Sequence, residues 1–248
     1  MKLLDNKVAV ITGAGSGIGK SAAKLFAKEG AKVVVSDINE QHGQSAVEEI
    51  RSEGGEAFFI QADSSSAADN ERLVKQTIEK YGTLDIAVNN AGIGGPIAET
   101  GEYPVEGWKK VIDINLSGVF YGLRYQIPAM LKSGGSIINV ASILGQAGTK
   151  YSPAYVAAKH GVVGLTKAAA LEYAARNIRV NSIGPGYIKT PLLSSLDEAT
   201  MKALVALHPV GRLGEAEEVA ELLLWLASPK ASFVTGAYYA VDGGYLAQ

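Results

Sequence analysis

The chain has 248 residues, 47% of them apolar, a formal net charge of −2 and no cysteine. That length and apolar content suit one α/β domain with a substantial core, and they exclude a disordered chain. The balanced charge leaves no footprint for nucleic acid or a membrane surface, and the missing cysteines exclude disulfides and a thiolate nucleophile.

At the start of the chain, charge interrupts Met1 to Lys7 before any signal-like apolar run. No later run reaches membrane-spanning length, so a cytoplasmic protein is expected. Val8-Ala9-Val10-Ile11 is apolar and β-branched, the pattern of a strand buried on both faces. Thr12-Gly13-Ala14-Gly15-Ser16-Gly17-Ile18-Gly19 follows at once, and Lys20 to Glu29 reads as helix. Strand, glycine turn and helix in that order make a pyrophosphate site: glycines permit close approach, and the helix N-terminus attracts the anion. The bland alternative is a tight βα turn. A second strand, Lys32 to Ser36, ends in Asp37, 18 residues past Gly19, near the spacing at which a carboxylate meets an adenosine ribose. There it would accept both ribose hydroxyls and repel a 2′-phosphate, which favours NAD over NADP. Capping the next helix is the competing role.

A helix from about Glu40 to Glu53, a strand near Ala57 to Gln61, a helix over Ala67 to Lys80 and a strand over Leu84 to Val88 continue the alternation. The alternation predicts a doubly wound parallel sheet of about seven strands with helices on both faces. Asp63, after the third strand, either caps a helix or touches adenine. Asn89-Asn90-Ala91-Gly92 ends the fourth strand on the carboxyl edge, where cofactors bind in such sheets. Trp108 to about Lys132 reads as a long helix interrupted by Gly118, Gly122 and Pro128. Ser136 to Val140 is a fifth strand with Ser142 just past its end, and Ile178 to Ile183 a sixth, ended by Gly184-Pro185-Gly186. A helix near Glu215 to Ala227 and a strand near Tyr238 to Val241 complete a single domain without linker or repeat.

The helix from Ala154 to Arg176 carries Tyr155 and Lys159 at i and i+4, one turn apart on one face. A free phenol, with a pKa of ~10, is a poor base at neutral pH. An ammonium roughly 5 Å away favours phenolate by about 3 kcal/mol at an effective dielectric of ~20, or about two pKa units. The pair therefore reads as a tuned acid–base couple, against the bland reading of an exposed lysine beside a packed tyrosine. His42, His160 and His208 are scattered, and no metal site is expected. The two central helices are apolar on more than one face, as in Val119-Phe120-Tyr121 and Ala168-Ala169-Ala170-Leu171. A helix apolar most of the way round needs a partner on each side, so a homotetramer is expected.

Together, Thr12-Gly13, Gly17 and Gly19, Asn89-Asn90-Ala91-Gly92, Asn115, Ser142, Tyr155 and Lys159, Pro185-Gly186 and Val241-Asp242-Gly243-Gly244 resemble the short-chain dehydrogenase/reductase family over essentially the whole chain. The resemblance is nearest to bacterial NADH-dependent secondary alcohol dehydrogenases, also called carbonyl reductases. It implies a catalytic tetrad of Asn115, Ser142, Tyr155 and Lys159. Tyr155 would exchange the proton with the substrate oxygen, and Ser142 would hydrogen-bond the same oxygen. Lys159 would tune Tyr155 and hold the nicotinamide ribose. Asn115 would anchor a proton path through its main chain and a water. Without the resemblance, Ser142 reads as a turn hydroxyl and Asn115 as a buried helix kink.

The resemblance also implies NAD contacts from Gly13, Ser16, Gly17, Ile18, Gly19, Asp37, Asp63, Asn90, Tyr155, Lys159, Ile188 and Thr190. Neither Ser16 nor Ile38 is basic, as the residues there often are in NADP-using relatives. The segment from Tyr187 to about Val210 is expected to be irregular, then helical, and to close over the substrate. Its leucines, Leu192, Leu193, Leu196, Leu204 and Leu207 among them, serve either packing or the pocket. With Ile93, Ile143, Leu144 and Tyr187 they would make an apolar pocket suited to a neutral ketone or alcohol. Steroid, sugar and 3-oxoacyl substrates are the alternatives on the same scaffold, and a non-catalytic NAD sensor is the alternative from another class.

Overall fold

The computed structural model describes residues 2–193 and 197–248. Seven parallel strands form one sheet in the order β3-β2-β1-β4-β5-β6-β7. They are β1 Val8–Thr12, β2 Lys32–Asp37, β3 Glu56–Gln61, β4 Ile86–Asn89, β5 Gly135–Val140, β6 Ile178–Pro185 and β7 Tyr238–Val241. The helices are α1 Gly17–Lys28, α2 Glu40–Ser52, α3 Ala67–Tyr81, α4 Val105–Ile112, α5 Gly118–Met130, α6 Pro153–Tyr173, α7 Glu198–Ala206 and α8 Ala216–Ala227. Strand pleating sends alternate side chains to two cores. Ala9, Ile11, Val33, Val35, Ile86 and Val88 face a core shared with α1, α2 and α8. Val10, Val34, Ala87, Ile137 and Val180 face the other, shared with α3, α5 and α6. Because both faces are covered, β1, β2 and β4 read as nearly unbroken apolar runs.

Strand order reverses between β1, which pairs with β2, and β4, which pairs with β1 from the other side. Loops beyond the carboxyl ends of β1 and β4 diverge there and leave a crevice. The glycine turn after β1, Asn90 after β4 and Ser142 after β5 lie on this edge, and Tyr155 and Lys159 lie on α6.

The long helix expected from Trp108 begins earlier, at Val105, with Pro104 at its N-cap. It is broken by a π-helical turn, Asp113–Ser117, and not by its glycines. Gly118 and Gly122 are there for space. A Cβ at 118 would stand 2.8 Å from the Ser64 carbonyl oxygen, and one at 122 would stand 2.5 Å from Asn89 Oδ1. Pro128 sits within the last turn of α5 without ending it.

A buried polar chain ties α5, β4, β5 and α6 together. Gln126 Nε2 donates to Asn89 Oδ1 at 2.8 Å, and Asn89 Nδ2 donates to Asn139 Oδ1 at 2.9 Å. Asn139 Nδ2 donates to Thr166 Oγ1 at 2.9 Å, and that hydroxyl donates to the Val162 carbonyl at 2.8 Å. Such a chain sets the register of α6 more sharply than aliphatic packing does, because any slip leaves buried groups without partners.

Candidate active site

At the nucleotide end, Gly13 and Gly17 take φ of +62° and +52°, which L side chains rarely adopt. Gly19 is held to glycine by crowding: a Cβ would stand 2.3 Å from the Gly13 carbonyl oxygen and 2.6 Å from Asn90 Nδ2. The cradle is therefore shaped for an approach that a side chain would block. α1, like α5 and α6, has no acidic residue in its first turn, so no carboxylate of its own offsets the positive end of the helix. Ser16 precedes α1 as its N-cap but makes no side-chain cap, and Ile18 is partly buried against the α1 core.

Asp37 does not cap α2; Asn39 does, accepting from the His42 N–H at 3.0 Å. The Asp37 carboxylate instead spans the crevice mouth, accepting from Gly15 N and Asn39 N, both at 2.9 Å. Asp63 accepts from the Ser65 N–H at 2.8 Å and its hydroxyl at 2.7 Å, while Ser66 caps α3. Its Oδ1 is thus committed to the turn. Asn90 Nδ2 donates to the Thr12 carbonyl at 2.9 Å and the Gly13 carbonyl at 3.2 Å, tying the end of β4 to the glycine turn.

At the other end, Ser142 lies beyond β5 with its Oγ accepting from Leu144 N–H at 3.1 Å. That hydroxyl lies close enough to the Tyr155 phenol to favour its ionised form. Lys159, 3% exposed, donates to the Val140 carbonyl at 2.8 Å. Asn115 is fully buried in the π turn. It clamps Ile93 from both sides, Oδ1 accepting from Ile93 N at 2.9 Å and Nδ2 donating to Ile93 O at 2.8 Å. A Cβ on Gly92 would stand 3.3 Å from Asn115 Oδ1 and 3.7 Å from Lys159 Nζ, so these groups converge on the Gly92 backbone. The structure thus brings Ser142, Tyr155, Lys159 and Asn115 together.

The electrostatic expectation needs correction. Burial is the largest influence on the Tyr155 phenol and pushes it up; the Ser142 hydroxyl pulls it down, and nearby Tyr187 raises it again. Burial also lowers Lys159 from 10.5 to about 8. The ammonium sits over the tyrosine ring, 5.5 Å from its centroid. Helical spacing fixes that approach but says nothing about how much water is excluded, and water exclusion dominates both groups.

The segment that begins at Tyr187 is stitched at its base. Ile188 pairs with Gly214, Lys189 N–H donates to the Gly214 carbonyl at 2.9 Å, and Lys189 forms an ion pair with Glu215. Thr190 reaches the glycine turn: a Cβ on Gly17 would stand 3.2 Å from its methyl. Leu193 is partly buried, whereas Ser194 to Leu196 and the side chain of Leu192 fall outside the described part of the chain. Ile143 is 1% exposed and Leu144 is also buried, whereas Ile93 and Tyr187 keep partial exposure. Tyr187 stacks edge-on against His208 and Tyr245, at centroid distances of 5.8 and 6.3 Å.

Sequence reasoning passed over His208. It is buried, its Nε2 accepts from the Tyr187 N–H at 3.2 Å, and its Nδ1 therefore carries the proton donated to the Leu204 carbonyl at 2.8 Å. Gly186 makes room, since a Cβ there would stand 2.8 Å from Nε2. A 21-residue separation leaves no local pattern by which to find this contact. A hollow of about 570 Å³ near Lys7, Asp85, Gly135 and Arg179 opens at the amino ends of the strands, the edge away from Ser142, and takes no part in the site.

A glycine cradle at the switch point, facing a hydroxyl, a phenol and a buried lysine, defines an oxidoreductase of the dinucleotide-binding α/β class. Comparisons with known proteins narrow the class. The family described as enoyl-(acyl carrier protein) reductase matches residues 13–246. A cyclohexanol dehydrogenase from Acinetobacter sp. (strain SE19) is 54% identical over 242 residues, 97% of this chain and 95% of that protein. A cis-4-hydroxycyclohexanecarboxylate dehydrogenase from Sinomonas cyclohexanicum is 43% identical, covering 97% of each chain. The crystal structure of a short-chain type dehydrogenase/reductase from Mycobacterium marinum superposes with a TM-score of 0.94 at 38% identity, over 99% of this chain and 97% of that one. The chain belongs to the short-chain dehydrogenase/reductase family.

Proposed function

We propose that the protein is an NAD(H)-dependent alcohol dehydrogenase that interconverts apolar secondary alcohols, cyclohexanol-like rings first among them, and the matching ketones. The observation that carries this reading is the gathering of the Ser142 hydroxyl, the Tyr155 phenol and the buried Lys159, whose ammonium stands 5.5 Å from the centroid of the Tyr155 ring. The similarity to two dehydrogenases of cyclohexane-ring alcohols supports the substrate class. The Gly13–Gly19 turn, Asp37, Asn90, Ile188 and Thr190 would hold a nicotinamide dinucleotide, which would supply or accept the hydride. Asp37, half-buried beside Gly15, would repel a 2′-phosphate, which favours NAD.

In ketone reduction, Tyr155 donates its proton to the carbonyl oxygen while Ser142 donates a hydrogen bond to the same oxygen. A phenol pushed up by burial is protonated at neutral pH and therefore ready as an acid. Oxidation needs the phenolate, so it gains as pH rises. Lys159 spends one of its three donors on Val140, leaving two for ribose hydroxyls. Ile93 and Leu193 supply apolar walls without charge. A tetramer would cover Leu171 and Phe120, which stand 86% and 48% exposed on α6 and α5.

A 3-oxoacyl or enoyl-acyl carrier reductase is the second reading, favoured by the description of the matching family. Comparing kcat/KM with NADH for cyclohexanone, an acetoacetyl thioester (a 3-oxo substrate) and a crotonyl thioester (an enoyl substrate) separates the readings, and cyclohexanone is expected to lead. Tyr155→Phe should lose turnover while NADH fluorescence still reports binding. Full turnover in that variant would refute the mechanism.

A further inference from the structure

Tyr238 belongs to none of the motifs above and has no part in the site so far. It lies in β7, whose pairing with β6 sets Ser182 beside Tyr238 and Gly184 beside Ala240. Its hydroxyl donates to the Ser142 carbonyl at 2.9 Å, joining positions 96 residues apart. To reach that oxygen the ring lies across the β6 backbone at Gly184. A Cβ there would stand 1.8 Å from the Tyr238 hydroxyl oxygen and 2.2 Å from Cζ. Gly184 has no positive φ, so space, not backbone conformation, requires glycine at this point.

The contact bears on catalysis through the backbone of Ser142. The direction of its carbonyl fixes ψ at 142, and ψ sets the course of the next two residues. That course decides whether the Leu144 N–H reaches Ser142 Oγ, as it does at 3.1 Å. With one lone pair taken by Leu144, the hydroxyl proton is free to turn to Tyr155. We propose that Tyr238 is a positioning residue: its hydroxyl, seated over Gly184, fixes the Ser142 carbonyl and so aims the Ser142 hydroxyl toward the Tyr155 phenol, where its one proton faces the phenol until a substrate oxygen takes it. The role rests on the dehydrogenase reading only in its effect on turnover. Burial and the Asp242 carboxylate push Tyr238 up to about 12, so it stays a donor throughout the working pH range.

The test labels tyrosine at Cζ with 13C and assigns the Tyr155 resonance by its loss in Tyr155→Phe. At neutral pH, Ser142→Ala defines how that resonance moves when the serine hydroxyl is gone. Tyr238→Phe, which removes only an oxygen, is expected to move it in the same direction. Gly184→Ala, which drives a methyl into the hydroxyl but leaves Tyr238 in the chain, should do likewise and serves if the first variant folds poorly. Cyclohexanone turnover, counted per NADH site titrated by fluorescence, should fall about five- to tenfold in Tyr238→Phe, the kinetic equivalent of one hydrogen bond. A Tyr155 resonance left at the parent position overturns the proposal, whatever turnover does, and reduces Tyr238 to a packing residue of β7. A parent chain that moves no hydride sinks the dehydrogenase reading alone, because the resonance is read without substrate.

Discussion

Replacing Lys159 with methionine is expected to raise resistance to urea near neutral pH, and the advantage should shrink as pH rises. Lys159 is buried, and burial brings its pKa from 10.5 down to about 8. Between those values the unfolded chain holds a proton at this position that the folded chain has released. Unfolding free energy therefore rises with pH through that window, by about 1.4 kcal/mol per pH unit. Below it, both states are protonated and the folded state bears the full desolvation cost, roughly 3 kcal/mol for a displacement of 10.5 to about 8. Methionine removes that cost but leaves the Val140 carbonyl without its donor, a loss of about 1–3 kcal/mol. The net gain at neutral pH is then about 0–2 kcal/mol. The pH dependence is the cleaner quantity: the variant's advantage should fall by roughly 2 kcal/mol between about pH 7.5 and 9.5. Urea unfolding followed by the fluorescence of Trp108 and Trp225 measures it. An advantage that stays constant across that range would show that the ammonium is not desolvated, and the argument from burial would fail.

Asn139→Leu takes from Asn89 Nδ2 one of its two acceptors, leaving Gln126 Oε1, and from Thr166 Oγ1 its donor, leaving Val162 O, and should cost about 1–3 kcal/mol of stability by urea unfolding; no measurable cost would mean the buried chain is not a unit. Gly19→Ala presses a methyl to 2.3 Å from a backbone oxygen and should weaken dinucleotide binding at least about tenfold in a fluorescence titration; unchanged affinity would show that the turn yields. Asp37→Ser combined with Ile38→Arg should raise the NADPH-to-NADH ratio of kcat/KM by roughly 100-fold, as removal of one repulsion and gain of one cation imply; a ratio that stays put would remove Asp37 from the nucleotide site. Ser142→Ala should move the Tyr155 limb of the kcat–pH profile to higher pH, because the lost hydroxyl was holding the phenol down; an acid displacement would contradict the assignment.

The sheet was legible because burial on both faces leaves no polar beat in Val33-Val34-Val35 or Ile86-Ala87-Val88, while glycines and turns punctuate each end. Helical spacing alone placed Tyr155 and Lys159 on one face, whereas Ser142 and Asn115 were expected beside them only through the family resemblance. The π turn was legible only as a kink at Asn115: Asp113-Ile114-Asn115-Leu116-Ser117 has ordinary helical composition, and the clamp on Ile93 that accompanies the wide turn joins positions 22 residues apart. The balance of pKa values was missed for a related reason, since spacing gives the angle between Tyr155 and Lys159 but not their solvent exclusion. Asp37 illustrates a half-success. Its place at the crevice was expected, but its role as the receptor for Gly15 N–H depends on the turn folding back toward β2.

The wide turn between α4 and α5 has a consequence for how this chain tolerates insertions and deletions. A π turn holds one residue more than an α turn, and each residue advances a helix by about 100°. Upstream, Val111 meets Ala154 and Ala158 of α6; downstream, Val119, Leu123 and Ile127 meet the sheet. The surplus residue acts as a phase shifter between two docking faces that no uninterrupted helix would satisfy together. Deleting any one of residues 113–117 would make the helix locally more regular, yet swing Gln126 off Asn89 and every apolar contact of α5 out of step. Point substitutions on this helix should therefore be borne far better than a change of length by one.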